Sequence, residues 1–182
     1  MCGIAGYFNP DQNYAENPKQ NFHTLSRMIN TMNHRGPDTY GHTIINSCCL
    51  AHTRLSIIDL ENGRQPMSYT KDGNTYYIVY NGEIYNYKEV KKTLLRKNYT
   101  FETNSDTEVI IAAFCHYGPG FVKELNGIFA IAIYDSMRNT LYLYRDRFGV
   151  KPLYYTKTGD TLVFASRIDT LFEYPRVRTC IV

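Results

Sequence analysis

The chain has 182 residues, 43% of them hydrophobic and 20% charged, which is the size and composition of one globular domain. The formal net charge is only +3, with lysine and arginine scattered along the sequence, which argues against a nucleic-acid partner. No apolar run approaches the roughly 18 residues that span a membrane, and no signal peptide is visible. We therefore expect one cytoplasmic domain over residues 1–182 without membrane association.

The five cysteines do not form a recognisable framework. Their number is odd, two are adjacent, and none has the Cys-x-x-Cys spacing. Neither a set of disulfides nor a zinc site is therefore predicted. Reduced thiols are expected, which fits a cytoplasmic location.

The first part of the chain is predicted to contain strands around one amphipathic helix. Ile4–Phe8 has the pattern of a short strand, and a polar loop follows it. The apolar residues between Phe22 and Met32 recur at helical spacing, and His34–Asp38 ends this helix as a loop. Further strands are predicted around Gly41–Ile45, Cys49–His52 and Leu55–Asp59, with a turn at Glu61–Pro66.

The rest of the chain is predicted to contain helices and then hairpins. Thr75–Tyr80 is a strand that stops at Asn81-Gly82, a strong turn signal. Helices are predicted over Tyr87–Lys97, Asp106–Tyr117 (with Ser105 or Asp106 as N-cap) and Phe121–Leu125. The hairpins are Gly127–Tyr134 with Leu141–Arg145, and Leu153–Tyr155 with Leu162–Ala165. This order indicates an α+β fold in which antiparallel sheet and helix form separate layers.

Cys2 follows the initiator methionine directly, which gives its thiol a possibility that an internal cysteine lacks. Once an aminopeptidase removes Met1, the thiol and a free α-amine belong to one residue. An α-amine titrates near pH ~7.7–8.0, which suits a general base that activates a nucleophile. The alternative is that Cys2 is a small, half-buried residue of a first strand.

Asn81 and Gly82 form a second candidate pair. Asn-Gly after a strand is typical of an ordinary hairpin turn. No second strand follows, however, and polar Glu83 leads towards a helix. In the functional interpretation, the Asn81 amide and the Gly82 backbone N–H donate hydrogen bonds to a developing oxyanion.

Two charged residues extend the candidate site. Arg54 lies among residues that look buried, where it forms a structural ion pair or binds a ligand carboxylate. Asp106 either caps a helix or faces a substrate ammonium. With the thiol, the amine and the oxyanion donors, these groups suit an α-amino acid that has a hydrolysable side-chain amide, namely glutamine or asparagine.

Six motifs carry a resemblance to a known family: Met1–Gly6, His34–Asp38, Ala51–Ile57, Asn81–Asn86, Ser105–Glu108 and Arg145–Tyr154. In this order they resemble the class II glutamine amidotransferase domain, and within it the glutaminase half of glutamine-dependent asparagine synthetase. The resemblance covers nearly the whole chain. It implies the N-terminal nucleophile (Ntn) hydrolase fold, an αββα sandwich whose two mostly antiparallel sheets pack face to face between helical layers.

The resemblance also implies the chemistry. Cys2 would be the nucleophile and its freed α-amine the base, acting through a water, with Asn81 and Gly82 as the oxyanion hole. Glutamine would acylate Cys2 as a γ-glutamyl thioester and release ammonia, after which water would release glutamate. The His34–Asp38 loop, with Arg35 and Asp38, is expected to close or brace the pocket, and Arg145–Tyr154 to brace the sheet.

Five residues would bind the substrate according to the same resemblance. Arg54 would hold the α-carboxylate of L-glutamine, and Glu83 and Asp106 its α-ammonium group. Ile57 and Ile58 would line the pocket, in part through backbone groups. No cofactor or metal is expected in this domain.

The chain departs from the family pattern in two respects. The family continues into an ATP-pyrophosphatase synthetase domain with a Ser-Gly-Gly-x-Asp-Ser loop, which these 182 residues lack. ATP and magnesium would belong to that domain, so a separate synthetase domain or ammonia-accepting protein is the expected partner. Ser166-Arg167-Ile168 also stands where the family has Ser-Glu-Ile, which reverses a charge near the expected join.

Two other functions stay open from the sequence. A non-catalytic module would bind glutamine or a partner synthetase, with Met1 retained or the coupling lost. An Ntn hydrolase of a different amide is the third possibility, against which the partners for both charged groups of a free amino acid argue.

Overall fold

The computed structural model describes residues 2–55 and 63–178. Within these ranges nine strands and four α-helices follow one another. The strands are β1 Gly3–Phe8, β2 Thr39–Ile45, β3 Cys48–Arg54, β4 Met67–Lys71, β5 Asn74–Ile84, β6 Gly127–Asp135, β7 Thr140–Arg145, β8 Tyr154–Thr158 and β9 Thr161–Ala165. The helices are α1 Pro18–Met32, α2 Tyr87–Leu95, α3 Asp106–Tyr117 and α4 Ile168–Leu171, with 3₁₀ turns at Tyr14–Glu16 and Gly118–Glu124.

The strands form two sheets, in the orders β2-β3-β1-β9-β8 and β4-β5-β6-β7. Over the described ranges, every strand pairing inside these sheets is antiparallel. No helix of the same ranges is long and apolar enough to cross a membrane.

Because side chains alternate between the two faces of each strand, the apolar side chains of the sheets pack into three separate hydrophobic clusters. In β1, Ala5 and Tyr7 pack with Leu25 and Met28 of α1, whereas Ile4 points the other way and packs with Val79 of β5. On the far side, β5 and β6 face α2 and α3 in a third cluster. The layers are therefore helix, sheet, sheet and helix, which is the αββα arrangement expected from the sequence.

Most predicted elements are confirmed. The helix that was predicted between Phe22 and Met32 begins earlier, at Pro18, and Phe22 itself is exposed. The edge strand β4 and the short helix α4 were not predicted. The predicted strand Leu55–Asp59 and turn Glu61–Pro66 fall largely outside the described residues.

The predicted end of a strand at Asn81-Gly82 is wrong. β5 continues to Ile84, with Asn81 opposite Ala130 of β6 and Gly82 opposite Phe129. Neither Asn81 nor Gly82 has the positive φ that a two-residue type I′ turn requires. A Cβ on Gly82 would lie 2.2 Å from the Ile128 carbonyl oxygen, so glycine here permits a close approach of the two strands.

Candidate active site

A cavity of about 150 Å³ opens at the end of the sandwich, where β1 and β3 of one sheet meet β5 of the other. It contains six of the eight residues predicted for the site, namely Cys2, Arg54, Asn81, Gly82, Glu83 and Asp106. The other two, Ile57 and Ile58, lie outside the described residues. Further lining residues include Leu55, Gln65, Tyr80, Thr107 and Lys151.

Cys2 is half-buried at the start of β1, and two neighbours hold it. The Leu55 backbone N–H donates to Cys2 Sγ at 3.4 Å, and the thiol lies 3.6 Å from the Leu55 carbonyl oxygen. Arg35 donates from Nε to the Cys2 carbonyl oxygen at 3.1 Å. Both the thiol and the backbone of this residue therefore have defined positions.

Arg35 belongs to the His34–Asp38 loop, which also contacts the end of β3. The Asp38 backbone N–H donates to the Arg54 carbonyl oxygen at 3.1 Å. A Cβ on Gly36 would lie 2.5 Å from the Arg54 nitrogen, so glycine allows the loop to lie directly on β3. Arg54 itself is buried. These contacts agree with the bracing role expected for the loop, since one segment touches the backbone of both Cys2 and Arg54.

The Asn81 amide has an unused donor. Asn81 is 2% exposed, and its Nδ2 has no hydrogen-bond partner within the described parts of the chain. Because buried polar groups are nearly always hydrogen-bonded, an orphaned donor in a cavity wall indicates a ligand acceptor.

The direction of the Gly82 N–H follows from its neighbours in β5. Alternate N–H groups of a strand point to the same edge. Tyr80 N–H donates to Gln65 Oε1 at 2.6 Å, and Ile84 supplies a backbone hydrogen bond to Asp106. Gly82 lies between these two, so its N–H points to the same edge, into the cavity.

Asp106 is placed by the start of α3. Ser105 is the N-cap, because its side chain accepts from the Thr107 N–H at 3.2 Å. The Asp106 carboxylate therefore lies in the cavity wall, where the Tyr80 hydroxyl donates a hydrogen bond to Oδ2 at 2.9 Å. Burial raises the pKa of Asp106, although the hydrogen bonds from Tyr80 and from backbone groups of Ile84 and Thr107 act in the opposite direction.

Glu108 stabilises the loop that precedes Asp106. Its carboxylate accepts from the backbone N–H groups of Glu102 and Thr103, both at 2.8 Å, and from the Thr103 hydroxyl at 2.7 Å. Hydrogen bonds to an ionised carboxylate are stronger than those between neutral groups. Glu108 therefore has a structural role. Glu83, by contrast, lies exposed at the rim of the cavity.

Two polar residues that contact Tyr80 at the cavity were not predicted as site residues. Gln65 bridges β5 and α3, since its Nε2 donates to the Thr107 hydroxyl at 3.2 Å while its Oε1 accepts from Tyr80. His52 is buried with Nε2 3.2 Å from the Tyr80 carbonyl oxygen, so Nε2 donates. Burial lowers the pKa of His52 to about 3, so the ring is neutral at pH 7. No sequence motif singles out Gln65, and His52 looks like any core residue of β3.

Lys151 also lines the cavity and was missed as a site residue, although it lies within the Arg145–Tyr154 motif. Its segment is organised by Asp146, whose carboxylate accepts from the N–H groups of Phe129, Phe148, Val150 and Lys151. Burial alone would raise the pKa of Asp146, but these backbone hydrogen bonds outweigh it and hold the pKa below its usual value.

Comparison with known proteins decides the family. Residues 1–181 match the family model of the glutamine amidotransferase domain. The chain belongs to this family. Glutamine-hydrolysing asparagine synthetases 3 and 2 of Bacillus subtilis (strain 168) are 40% identical to this domain over 178 residues and 45% identical over 175.

These alignments cover nearly all of the domain but little of its relatives. They include 98% and 96% of this chain, and 28% and 23% of the two synthetases, so the chain spans about a quarter of their length. A solved structure of glutamine phosphoribosylpyrophosphate amidotransferase from B. subtilis matches with a TM-score of 0.72 at 19% identity, over 93% of this chain and 42% of that one. The likeness confirms the Ntn-type αββα fold.

Proposed function

We propose that this glutamine amidotransferase domain hydrolyses L-glutamine to glutamate and ammonia through a thioester on Cys2. The observation that carries the proposal is the orphaned Asn81 amide, a buried donor in the same 150 Å³ cavity as the Cys2 thiol. A donor that waits for an acceptor beside a nucleophile is the arrangement that acyl transfer requires.

The charges of the cavity fit the two ends of a free amino acid. Arg54 offers a guanidinium for the α-carboxylate, which it binds best in bidentate geometry. Asp106, with Glu83 at the rim, faces the α-ammonium group. An arriving ammonium stabilises the ionised form of Asp106, which burial disfavours in the empty cavity.

The reaction begins after removal of Met1, when the Cys2 α-amine takes the thiol proton. The sulfur attacks the side-chain carbonyl carbon of glutamine, and the carbonyl electron pair moves to oxygen, which accepts from Asn81 Nδ2 and the Gly82 N–H. Collapse of this intermediate breaks the carbon–nitrogen bond, and the α-ammonium of Cys2 protonates the leaving nitrogen to give ammonia. Water then attacks the thioester with the amine as base, so that glutamate leaves and the thiol is restored. Apart from glutamine and water, every group in these proposed steps belongs to the protein, so the mechanism as proposed uses neither metal nor cofactor.

The acceptor of the ammonia is proposed from the relatives. Those described above are glutamine-hydrolysing asparagine synthetases of which this chain matches about a quarter. We infer that a separate synthetase domain or another ammonia-accepting protein receives the ammonia. The cytoplasm suits this reaction, because a nucleophilic thiol must stay reduced.

One experiment tests the activity directly. Intact mass first establishes that Met1 is absent from the purified protein, and glutamate release from glutamine is then measured for the wild type and for Cys2→Ala. Release by the wild type alone supports the proposal. No release by Met1-processed wild type would refute hydrolysis and leave a module that binds glutamine without cleaving it.

Two further variants separate the proposed roles. Asn81→Ala should lower kcat by about 10²–10³-fold as an oxyanion donor, whereas Arg54→Ala should chiefly raise KM. An unchanged kcat in Asn81→Ala would show that the oxyanion is bound elsewhere.

A further inference from the structure

Among the described residues that line the cavity, Lys151 is the charged one that the proposed mechanism leaves unused. The other charged groups each have a partner in the substrate: Arg54 for the α-carboxylate, and Asp106 and Glu83 for the α-ammonium. Within residues 2–55 and 63–178, Lys151 forms no ion pair with a carboxylate. Among the described residues Lys151 is thus a cavity cation without a counter-ion, and a ligand that brings further negative charge would supply one.

The segment that carries Lys151 connects the sheet of the oxyanion donors to the sheet whose first strand follows Cys2. Residues 146–153 cross from β7, an edge of one sheet, to β8, an edge of the other. At the start of the crossing, Ala130 pairs with both Arg145 and Asn81. At its end, Ala165 pairs with both Tyr154 and Ala5, three residues beyond Cys2. The crossing therefore spans the end of the sandwich where the reacting carbonyl would lie.

Both backbone polar atoms of Lys151 are held by charged side chains. Its N–H donates to Asp146 Oδ2 at 3.0 Å, and its carbonyl oxygen accepts from Arg145 Nε at 2.9 Å. Arg145 also donates to the Gly149 carbonyl oxygen at 2.7 Å. These hydrogen bonds hold the backbone of Lys151 in place, so its side chain extends from a fixed position in the cavity wall. Such positioning favours the binding of a ligand.

The negative charge that Lys151 would bind lies at the side-chain end of the substrate. Glutamine is neutral there, but the tetrahedral intermediate carries an oxyanion, and product glutamate carries a γ-carboxylate. We propose that Lys151 forms an anion subsite beside Cys2 for this negative charge. Lys151 thus favours glutamate over glutamine in the ground state. This inference rests on the proposed function, since it identifies which end of the amino acid lies near Cys2.

Calorimetric binding to the Cys2→Ala protein tests the subsite without turnover. Adding Lys151→Met should weaken glutamate binding about five- to tenfold, the scale of one charge-assisted contact, and leave glutamine binding unchanged within about twofold. Lys151→Arg should retain most of the glutamate affinity. Lys157→Met is the matched control, because Lys157 is an exposed lysine next to Asp160 on β8. Equal effects on both amino acids, or none, would overturn the subsite.

A second measurement does not depend on glutamine at all. Iodoacetate and iodoacetamide both alkylate Cys2 when its sulfur displaces iodide, but only iodoacetate is an anion. Lys151→Met should lower the ratio of the iodoacetate rate to the iodoacetamide rate about threefold or more, whereas Lys157→Met should leave it unchanged. Peptide mass mapping distinguishes Cys2 from the other cysteines, and thermal melting verifies that each variant is folded. If Cys2→Ala binds neither amino acid, the proposed function fails, and the alkylation ratio still decides the role of Lys151.

Discussion

Asp146→Asn is the substitution that most directly tests how the cavity wall is built. The Asp146 carboxylate is 6% exposed and accepts four backbone hydrogen bonds. Oδ2 accepts from Phe129 at 3.3 Å and Lys151 at 3.0 Å, and Oδ1 accepts from Phe148 at 3.1 Å and Val150 at 3.0 Å. Asparagine has the same shape but only one acceptor oxygen, so in either orientation its NH₂ group faces two N–H donors.

The size of the effect follows from these contacts. Two charge-assisted hydrogen bonds are lost, each worth about 1.5–3 kcal/mol, and the other two weaken to the neutral range of about 0.5–1.5 kcal/mol. Water can reach some of the freed donors near Phe148, which is 91% exposed. We therefore expect the free energy of unfolding to fall by about 3–4 kcal/mol, below the simple sum. Asp160→Asn is the control and should change it by less than about 0.5 kcal/mol, because Asp160 is exposed and lies 3.9 Å from Lys157.

The pH dependence has a definite sign. The folded-state pKa of Asp146 lies below its usual value, so the carboxylate contributes its full stability above the unfolded-state pKa of about 3.9 and loses it as pH falls through the folded-state value. Urea unfolding at pH 7 and at successively lower pH measures both quantities. A loss below about 1 kcal/mol at pH 7, or a difference between wild type and variant that does not shrink in acid, would refute the reasoning.

Three other predictions follow from single contacts. Arg35→Met removes the donor to the Cys2 carbonyl oxygen and should lower kcat/KM for glutamine about tenfold. Arg35→Lys should not restore the rate, because only the planar guanidinium places its N–H there. Steady-state rates within about twofold of wild type would contradict this prediction. Gly82→Ala puts a Cβ 2.2 Å from the Ile128 oxygen and should cost about 2–3 kcal/mol in thermal or urea unfolding. The control Gly159→Ala, at φ +58 in open space, should cost only about 1 kcal/mol, so equal losses would count against the clash. Burial lowers the pKa of His52 from 6.5 to about 3, so as the pH drops the unfolded state takes up a proton before the folded state does. The free energy of unfolding should therefore fall between these two pKa values by up to about 1.4 kcal/mol per pH unit. A His52→Gln variant with the same acid slope as wild type would show that another group titrates.

Local sequence patterns were enough for most of the fold. Short apolar runs marked strands such as β1 and β9, and helical spacing marked α1 and α3. Ser105 or Asp106 was predicted as the N-cap of α3, and the structure shows that it is Ser105. The edge strand β4 was missed because it is only five residues long and mostly polar, and α4 because four residues form little more than one turn.

The site was predictable only where a residue's chemistry was visible in its position. A cysteine after the initiator methionine, and an arginine among apolar residues, are unusual enough to be noticed without a structure. The cavity brings Cys2 and Arg54 together with Asn81, Gly82, Glu83 and Asp106, as the motifs implied.

The sequence by itself determined the layered α+β class, the family and the nucleophile candidate, because each depends on residue types and their spacing along the chain. Only the tertiary structure decided where Asn81 and Gly82 lie. Asn-Gly usually reverses a strand, but pairing with β6 keeps β5 extended through both residues and directs the Gly82 N–H into the cavity. The same holds for Lys151, whose place depends on a crossing between two sheets and on hydrogen bonds to Asp146 and Arg145. Long-range strand pairing places these groups, and no local pattern records it.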